Sequence, residues 1–389
     1  MRPAASLAAI LLLSACGGTR PEPRAEDAGV QGSIDAGTDP GPGSSGDAGI
    51  SLSAEIAFTE TKFDLLAVGP DGAAYASNLL ESGGDVWASG NGREWQRRGS
   101  MAGATFWTMT SLSDGTLLAD VATASGHALA RSIDRGATWT AVLSTGKYRA
   151  LTPHSFAELD GAAYFLEYQV FTSASTPIRL WRSTDSGATW TVRQTFEGHR
   201  HGHGLAADPA RHALWAFFGD TDAQSGTFRS ADAGASWTAI VAGVQDGDIV
   251  DAVVLPDGSL LCGQDISYQP PRPAIARIAL DGTVTHHITL PSASYSTHAV
   301  GAGGYVVGAT YEVDNDISPL GWTRGSLWGS GDGEHWEKLL DVPQLDPTDD
   351  VRTDVYWELP SGELVVNVRN AFGFGPGGRG YMLLRTNRR

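Results

Sequence analysis

The stretch Ser183-Thr184-Asp185-Ser186-Gly187-Ala188-Thr189-Trp190 decides the fold, because close copies of it recur along the chain. Two further eight-residue copies begin at Ser132 and Ser230, and a shorter form, Ser-x-Asp/Asn-Gly-x-x-Trp, spans residues 89–95 and 330–336. We call these repeats boxes. The Asp carboxylate can accept hydrogen bonds from backbone N–H groups one to three residues further on, and Gly supplies a positive φ. Each box therefore predicts a tight hairpin turn, followed by a Trp that anchors the next strand.

The three full boxes assign structural roles to six residues. The predicted turn-forming carboxylates are Asp134, Asp185 and Asp232, and the predicted anchors are Trp139, Trp190 and Trp237. This combination of residues forms a turn and does not by itself form an active site. The boxes therefore indicate the fold, and the functional site has to be sought elsewhere.

The spacing of the boxes predicts a repeat architecture. Their tryptophans stand at 95, 139, 190, 237 and 336, so the last interval is about twice the others and one unit lacks its box. Asp281-Gly282 stands where that turn is expected. A period in the forties with four strand-like runs is typical of a β-propeller blade. We predict an all-β protein with a single propeller of seven four-stranded blades, with six or eight blades as the alternatives.

The seventh unit, residues 351–389, ends one strand short. The run Ile50–Phe58 has no other partner, and we predict that it supplies the missing strand and closes the ring. Such a closure removes the open sheet edges that a linear array of blades would leave.

Composition excludes several classes of function. The chain has 389 residues with 27 Lys and Arg against 44 Asp and Glu, a net charge of −17. No basic face of the kind that phosphate binding needs is indicated, so a nucleic-acid partner is not expected. The two cysteines, Cys16 and Cys262, exclude a disulfide framework, and Cys262 in an apolar run reads as a buried small hydrophobe.

The N-terminus resembles a bacterial lipoprotein signal. Arg2 precedes the apolar run 4–13, which is too short to span a membrane, and Leu13-Ser14-Ala15-Cys16 resembles a lipobox. The resemblance implies a signal peptide at 1–15, lipid modification of Cys16, and placement in the bacterial outer membrane because Gly17 follows the Cys. The alternative is an ordinary secretory signal with a chance Cys. Residues 16–49 are rich in Gly, Pro and Asp and predict a flexible tether to a propeller at 50–389, so membrane contact is expected only through the lipid.

The boxes resemble the Asp-box, or BNR, repeats of sialidase-like propellers, which occur also in sortilin-type receptors, some xyloglucanases and photosystem assembly factors. The likeness covers nearly all of the chain after residue 50. It implies the fold, but the repeat is shared by enzymes, receptors and assembly factors, so it does not select a function.

In a propeller the turns and loops lie at two opposite ends of the ring, and we expect different roles for the two ends. The boxes join third to fourth strands and lie at one end, the box end. The long irregular loops lie at the other, the mouth end, where binding is expected, and several carry aromatic residues that are expected to be exposed, such as Trp322 and Phe372. These loops span residues 168–177, 264–273, 311–325, 340–353 and 369–380.

A polar constellation is predicted at the mouth end of the fourth blade. His201 and His203 alternate along its first strand, and Asp220 and Asp222 follow its second strand. His201, His203 and Asp220 could bind a divalent metal, with Asp222 as an alternative carboxylate. Two other interpretations stay open: a polar ligand bound without metal, and a structural role in which the histidines bond to neighbouring backbone. No other cofactor is expected.

Three arginines begin first strands near the predicted mouth, namely Arg149, Arg200 and Arg352. If they converge, paired guanidinium hydrogen bonds could bind a carboxylate or sulfate. The alternative is that they are solvated loop residues of an acidic protein.

The chain lacks the residues that sialidase catalysis requires. The Arg-Ile-Pro element typical of that family does not occur, and residues 61–72 contain no arginine, so its catalytic residues cannot be carried over. A glycoside hydrolase with two facing carboxylates stays open as an alternative, without a pair singled out. The candidates, all expected on the mouth loops, are Glu167, Asp265, Asp314, Asp316 and Glu358. We favour a binding or scaffold module for a glycan or protein ligand over an enzyme.

Overall fold

The computed structural model describes residues 50–80, 84–169, 176–266, 272–301, 303–313 and 324–389. Its strands form seven four-stranded antiparallel sheets in sequence order, which confirms the predicted seven-bladed propeller. Within these residues, no helix is long and apolar enough to cross a membrane. The predicted signal peptide and tether, with Cys16, and the mouth residues Trp322, Asp314 and Asp316 lie outside the described residues.

The strands of each blade are given from the innermost to the outermost. Blade 1 contains β2–β5 (Phe63–Val68, Ala74–Asn78, Asp85–Ser89, Gln96–Ser100), and blade 2 contains β6–β9 (Ala104–Ser111, Leu117–Thr123, Gly126–Ser132, Thr140–Gly146). Blade 3 contains β10–β13 (Phe156–Leu159, Ala162–Leu166, Ile178–Ser183, Thr191–Phe196). Blades 4 to 6 are β14–β17 (His201–Asp208, Ala213–Gly219, Gly226–Ser230, Thr238–Ala242), β18–β21 (Val253–Val254, Leu260–Gly263, Ala274–Ile278, Val284–Thr289) and β22–β25 (Ser294–Val300, Gly304–Ala309, Arg324–Ser330, Glu337–Pro343). Short 3-10 turns span Pro153–Ser155, Pro209–Arg211, Gln245–Gly247 and Pro376–Gly378.

Blade 7 joins the two ends of the described chain. It contains β26 (Arg352–Glu358), β27 (Glu363–Arg369) and β28 (Gly380–Arg388), and its outermost strand is β1 (Leu52–Glu60). β1 pairs antiparallel with β28 from Leu52 opposite Arg388 to Glu60 opposite Tyr381. The predicted closure by the N-terminal run is therefore confirmed.

The box turns are built by the hydrogen bonds that their residue types predict. In the box at 183–190, Asp185 Oδ1 accepts from the Ser183 hydroxyl at 2.7 Å and from the Thr189 backbone N–H at 2.9 Å. Its Oδ2 accepts from the Thr189 hydroxyl at 2.6 Å, and the Trp190 indole donates to the Gly187 carbonyl at 3.0 Å. The backbone N–H that donates to the Asp185 carboxylate thus belongs to the residue four positions further on, one position beyond the expected range. These bonds lower the pKa of Asp185 to about 2.

The hydrophobic core lies between blades. Seven apolar clusters fill the seven interfaces of the ring, and each is made by two neighbouring blades. Cys262 is fully buried in the cluster between blades 4 and 5, as predicted. Blade 5 has the plain turn predicted for it, in which Asp281 Oδ1 accepts from the Thr283 N–H at 2.9 Å.

The innermost strands carry β-bulges near the mouth end. In five blades one residue of the first strand is left without a partner on the second strand. The bulged residues are Leu66, Trp107, His203, Tyr295 and Tyr356. A bulge bends its strand and redirects a side chain, and in blade 4 the redirected residue is His203 of the predicted polar constellation.

Candidate functional site

The predicted residues His201, His203 and Asp220 meet at the mouth end of blade 4. His201 and His203 belong to β14, and Asp220 follows β15, which pairs with β14. The Asp220 Oδ1 atom lies 2.8 Å from His201 Nε2 and 3.4 Å from His203 Nε2, and the two imidazole rings are 4.9 Å apart. All three side chains are buried, so the site is part of the interior and is not an open cleft.

Asp220 is already held by several partners. Arg200 donates to its Oδ2, and Gln245 donates to its backbone carbonyl at 2.9 Å. Burial alone would raise the pKa of Asp220, but His201 and His203 beside it hold that pKa well below its usual range. Arg200 and His201 thus fix Asp220 as a charged acceptor.

His201 is locked from its other side. Its Nδ1 lies 2.8 Å from the Gln169 carbonyl oxygen, and its ring packs against Tyr168 with centroids 4.5 Å apart. Both ring nitrogens therefore face acceptors, the Gln169 carbonyl and the Asp220 carboxylate. These two contacts fix the orientation of the ring, which is a structural role.

Two further carboxylates, from Asp248 and Asp265 of blade 5, lie on the opposite side of His203. The His203 Nδ1 is 3.4 Å from Asp248 Oδ1, 3.8 Å from Asp265 Oδ2 and 3.1 Å from the Ile249 carbonyl oxygen. Both carboxylates are fully buried, and burial raises the pKa of each well above its usual range, with repulsion from Asp265 adding to the shift at Asp248 and repulsion from Glu312 and Asp220 adding to it at Asp265. Among the described residues, neither oxygen of Asp248 has a hydrogen-bond donor, and Asp265 Oδ1 also lacks one.

The sequence did not single out Asp248 as a site residue, and it placed Asp265 only among the hydrolase candidates. Asp265 stands two residues after β19, where Asp220 stands one residue after β15. Asp248 precedes the first inner-strand pairing of blade 5, Ile249 with Gln264. The matching positions of Asp220 and Asp265 in adjacent blades could have indicated that these carboxylates lie close together. Using that signal requires knowing that blades 4 and 5 are neighbours and in register.

The three predicted mouth arginines have different partners. Arg149 lies over the rings of Trp107 and Tyr168, with centroid distances of 4.4 and 5.2 Å. Arg200 pairs with Asp220.

Arg352 lies 4.0 Å from the Tyr295 ring centroid and 3.7 Å from an Asp354 oxygen. Each of the three guanidinium groups thus serves a contact within or between blades. Asp222, the alternative metal ligand, is exposed in the turn after β15, outside the buried cluster.

The described hydrolase candidates do not form a facing pair in an open site. Glu167 is fully buried and accepts from the Arg179 backbone N–H at 3.0 Å and from the Trp181 indole at 2.8 Å, with the Arg179 guanidinium 2.7 Å away. Glu358 is the last residue of β26 and lies toward the box end, so the expectation that it belongs to the mouth loops is wrong. β26 runs from the mouth to the boxes, and only its first residues reach the mouth.

An exposed apolar pair stands at the mouth end between blades 6 and 7. Phe372 is 66 % exposed and Leu345 is 46 % exposed. Their segments are linked, because the Leu345 N–H donates to the Asn370 carbonyl and the Phe372 N–H to the Pro343 carbonyl, both at 2.7 Å. The exposure predicted for Phe372 is confirmed.

Two surface depressions lie at the box end and are shaped by the boxes. One, of about 390 Å³, is lined by Arg229, Asp232 and Ser236 among others, and one of about 580 Å³ includes Ser89, Asn91 and Arg98. Neither reaches the histidine cluster. Because the box residues in them are already engaged in turn hydrogen bonds, these depressions follow from the repeat itself.

No protein-family model and no curated protein matches this sequence. Among solved structures, a GH74 xyloglucanase from Xanthomonas campestris is 14 % identical with a TM-score of 0.53, over 85 % of this chain and 55 % of that one. A GH74 enzyme from Niastella koreensis is 14 % identical with a TM-score of 0.51, over 82 % and 59 %. YCF48 bound to D1 peptide is 14 % identical with a TM-score of 0.51, over 86 % and 96 %.

At this level of identity the likeness concerns the fold alone: the chain is similar to β-propellers of enzymes and of a peptide-bound protein. It covers less than two thirds of the length of the two GH74 enzymes.

Proposed function

We propose that the protein is a binding module that holds a segment of another protein, or a glycan, at the mouth end of the propeller. The observation that carries the proposal is the exposed pair Leu345 and Phe372 on two hydrogen-bonded loops of that end. Exposed apolar side chains that stand on linked loops of a rigid scaffold are more informative than single exposed apolar residues, because contiguous apolar patches mark interaction surfaces.

A protein segment is the ligand class that fits this pair best. Leu345 is aliphatic, and Asp346 beside it is exposed, so the surface complements apolar and basic side chains. Glycan platforms are commonly aromatic, and Phe372 is the side chain that would serve one.

A hydrolase receives less support than a binding module. Hydrolysis of a glycosidic bond needs two carboxylates flanking accessible substrate, one as acid and one as base or nucleophile. Of the described candidates, Glu167 is saturated with donors, Asp265 is buried, and Glu358 points to the box end. The GH74 likeness at 14 % identity adds the fold and no activity.

A binding screen tests the proposed function. The full chain is applied to an immobilised peptide library and a glycan array, and its hydrolysis of a panel of fluorogenic glycosides is measured in parallel. For any peptide or glycan bound, the double variant Leu345→Ser, Phe372→Ser is expected to lose at least about tenfold in affinity, because it removes the apolar contact.

Ile133→Ser is the matched control, because Ile133 is equally exposed but belongs to a box at the other end. Equal losses in both variants, or turnover of a glycoside without the predicted binding, would contradict the proposal.

We also propose that the protein belongs to the Asp-box propellers and that it is exported and lipid-anchored in the bacterial outer membrane. The box hydrogen bonds and the lipobox-like residues 13–16 support these two statements. Cys16→Ser is expected to move the protein from the membrane fraction to the soluble fraction of the cell envelope. Wild-type protein found already in the soluble fraction would argue for an ordinary cleaved signal and no lipid, and unchanged membrane association of the variant would show that a lipid on Cys16 is not what holds the protein.

A further inference from the structure

The interface of blades 4 and 5 buries two carboxyl groups, of Asp248 and Asp265, to which its described side chains offer few hydrogen-bond donors. Asp220 has Arg200 and His201 as partners, whereas Asp248 and Asp265 lie near His203 Nδ1, and among the described residues neither Asp248 oxygen nor Asp265 Oδ1 meets a hydrogen-bond donor. A buried carboxylate without hydrogen bonds or a counter-charge is costly, so a stable fold requires something to neutralise it.

Asp251, three residues from Asp248, shows how this fold satisfies a buried carboxylate with its own groups. Asp251 accepts from the backbone N–H groups of Ala252 at 2.8 Å and Thr297 at 2.9 Å, and it pairs with His154. Asp248 is equally buried, yet neither of its oxygens meets a donor among the described residues. The contrast indicates that Asp248 binds a partner other than a hydrogen-bond donor of the described chain.

We propose that the protein binds a divalent transition-metal ion, of the Zn²⁺ or Mn²⁺ type, between His203 Nδ1, Asp248, Asp265 and the Ile249 carbonyl oxygen. The site joins blade 4 to blade 5. It goes beyond the ligand-binding role proposed above and does not depend on it.

The distances among the proposed ligand atoms fit a small coordination shell. One atom from each of His203, Asp248 and Asp265 lies within 4.8 Å of the other two. From His203 Nδ1 the separations are 3.1 Å to the Ile249 oxygen, 3.4 Å to Asp248 Oδ1 and 3.8 Å to Asp265 Oδ2. Metal–ligand bonds of about 2.0–2.2 Å in tetrahedral geometry place ligand atoms roughly 3.4 Å apart. The shell therefore needs only small adjustments to close on an ion.

The tautomer of His203 links this shell to Asp220. With its proton on Nδ1, His203 donates to the Ile249 carbonyl, and its buried Nε2 has no partner. With its proton on Nε2, the ring donates toward Asp220 Oδ1, 3.4 Å away, and Nδ1 offers its lone pair toward Asp248 and Asp265. A metal-ligating histidine commonly donates its other N–H to a carboxylate in this way. The sequence-based hypothesis of a metal site thus keeps His203, while Asp220 and His201 become its supporting residues.

The ligand set favours a transition metal over calcium or magnesium. An imidazole nitrogen suits Zn²⁺ and similar ions, whereas Ca²⁺ and Mg²⁺ prefer shells made of oxygen alone. Two carboxylates would balance the charge of one divalent ion, leaving the pair Asp220 and Arg200 undisturbed.

Metal titration of the full chain tests the proposal. After chelation and removal of the chelator, Zn²⁺ or Mn²⁺ is expected to bind at about one ion per chain and to raise the Tm, since an ion bound only by the folded state stabilises it. Asp248→Asn, which keeps the shape and removes the charge, should weaken metal binding by about 100-fold or more. Because the amide keeps the shape of the carboxyl group and no hydrogen bond to Asp248 is lost, this variant should not lower the Tm of the metal-free protein.

Asp222→Asn is the matched control: it removes an exposed carboxylate at the same end of blade 4 and should leave the metal affinity unchanged. Asp265→Asn provides an independent ligand variant if Asp248→Asn fails to fold, and the same loss of binding is expected. The absence of Zn²⁺ and Mn²⁺ binding, binding of Ca²⁺ or Mg²⁺ alone, or unchanged metal affinity in a folded ligand variant would overturn the proposal. Because metal binding is measured without any peptide or glycan, its failure is distinct from failure of the proposed function.

Discussion

At the scale of single residues, the box carboxylates behave as their sequence context predicts. Asp134, Asp185 and Asp232 all accept from a hydroxyl two residues back and from the backbone N–H and hydroxyl four residues on. The bonds are local, so the sequence determines them almost completely. The residue before the box Gly also takes a positive φ, at 53° for Ser186, which the sequence pattern did not indicate.

Asp185→Ala is expected to lower the free energy of unfolding by about 1 kcal/mol, by analogy with the loss of a helix-capping side chain. The variant removes the acceptor for the Thr189 N–H and hydroxyl while leaving the core between blades intact. Chemical denaturation of the variant and the wild type measures the difference. A loss of ligand binding at unchanged stability would contradict the structural role of the box.

The same carboxylate predicts a dependence on pH. Its hydrogen bonds lower the pKa of Asp185 to about 2 in the folded protein, so the folded state holds the proton less tightly than the unfolded chain. The stability it contributes is present above the unfolded pKa of about 4 and is lost as the pH falls toward 2.

The difference in Tm between wild type and Asp185→Asn is therefore expected to be largest near pH 6 and to shrink as the pH falls from 5 to 2. Thermal melts at several pH values measure it. A difference that stays constant over that range would show that the charge of Asp185 is not what stabilises the turn.

For the candidate site, the limit of prediction is also visible at the level of residues. His201, His203 and Asp220 come from one pair of adjacent strands, so alternation and strand ends were sufficient to bring them together. Asp248 and Asp265 join them only because blade 5 packs against blade 4. A contact between units depends on register and bulges, and one residue of slip would move every side chain to the other face.

At the scale of elements, the closing strand β1 is the clearest case in which a long-range pairing was predictable. Every other blade takes four consecutive strands, so a final unit with three strands implies a partner from the other end of the chain. Ser51 and Arg389 exchange two backbone hydrogen bonds of 3.1 and 2.9 Å, and Leu52 inserts into the cluster between blades 6 and 7.

Proline substitutions in β1 test how much the closure matters. In an antiparallel pair hydrogen-bonded positions alternate, so the exchange at Ser51 directs the Ser53 N–H toward β28 and the Ala54 N–H away from it. Ser53→Pro should therefore destabilise the protein by about 1–2 kcal/mol more than Ala54→Pro, because it removes a ladder hydrogen bond. Equal effects in denaturant titrations would show that the pairing of β1 contributes little.

At the scale of the whole molecule, the ring is held together by its interfaces and not by its sheets. Each of the seven apolar clusters is shared by two blades, so no blade has a core of its own. The boxes strengthen the same contacts: Arg98 donates to the Asp134 carbonyl of the next blade at 3.0 Å, and Arg193 to that of Asp232 at 3.0 Å.

We therefore expect the described ring to unfold in one cooperative transition. Tryptophan fluorescence reports on residues spread around the ring, from Trp95 to Trp336, and far-UV circular dichroism reports on all the sheets. Their denaturation curves should coincide, as two-state behaviour requires. Separate transitions for the two signals would indicate that groups of blades unfold independently.

The blade count, the blade without a box and the closure were predictable because they follow from periodicity, a one-dimensional property. The contents of the mouth end were predictable only in part. Its loops do not repeat from blade to blade, so they cannot be aligned with one another. The contacts of Arg149 and Arg352 depend on aromatic neighbours from other strands. The regular end of each blade follows from its own sequence, while the irregular end depends on the assembled ring.

The closure also gives the molecule a direction in space. The chain enters β1 at the box end, where the Ile50 carbonyl accepts from the Gly331 N–H at 2.9 Å and the Ile50 N–H donates to Asp332 at 3.1 Å. If the proposed lipid on Cys16 holds the protein, the attachment reaches the propeller at the box end, on the side opposite the mouth. Attachment at the box end would leave the mouth end accessible to a ligand.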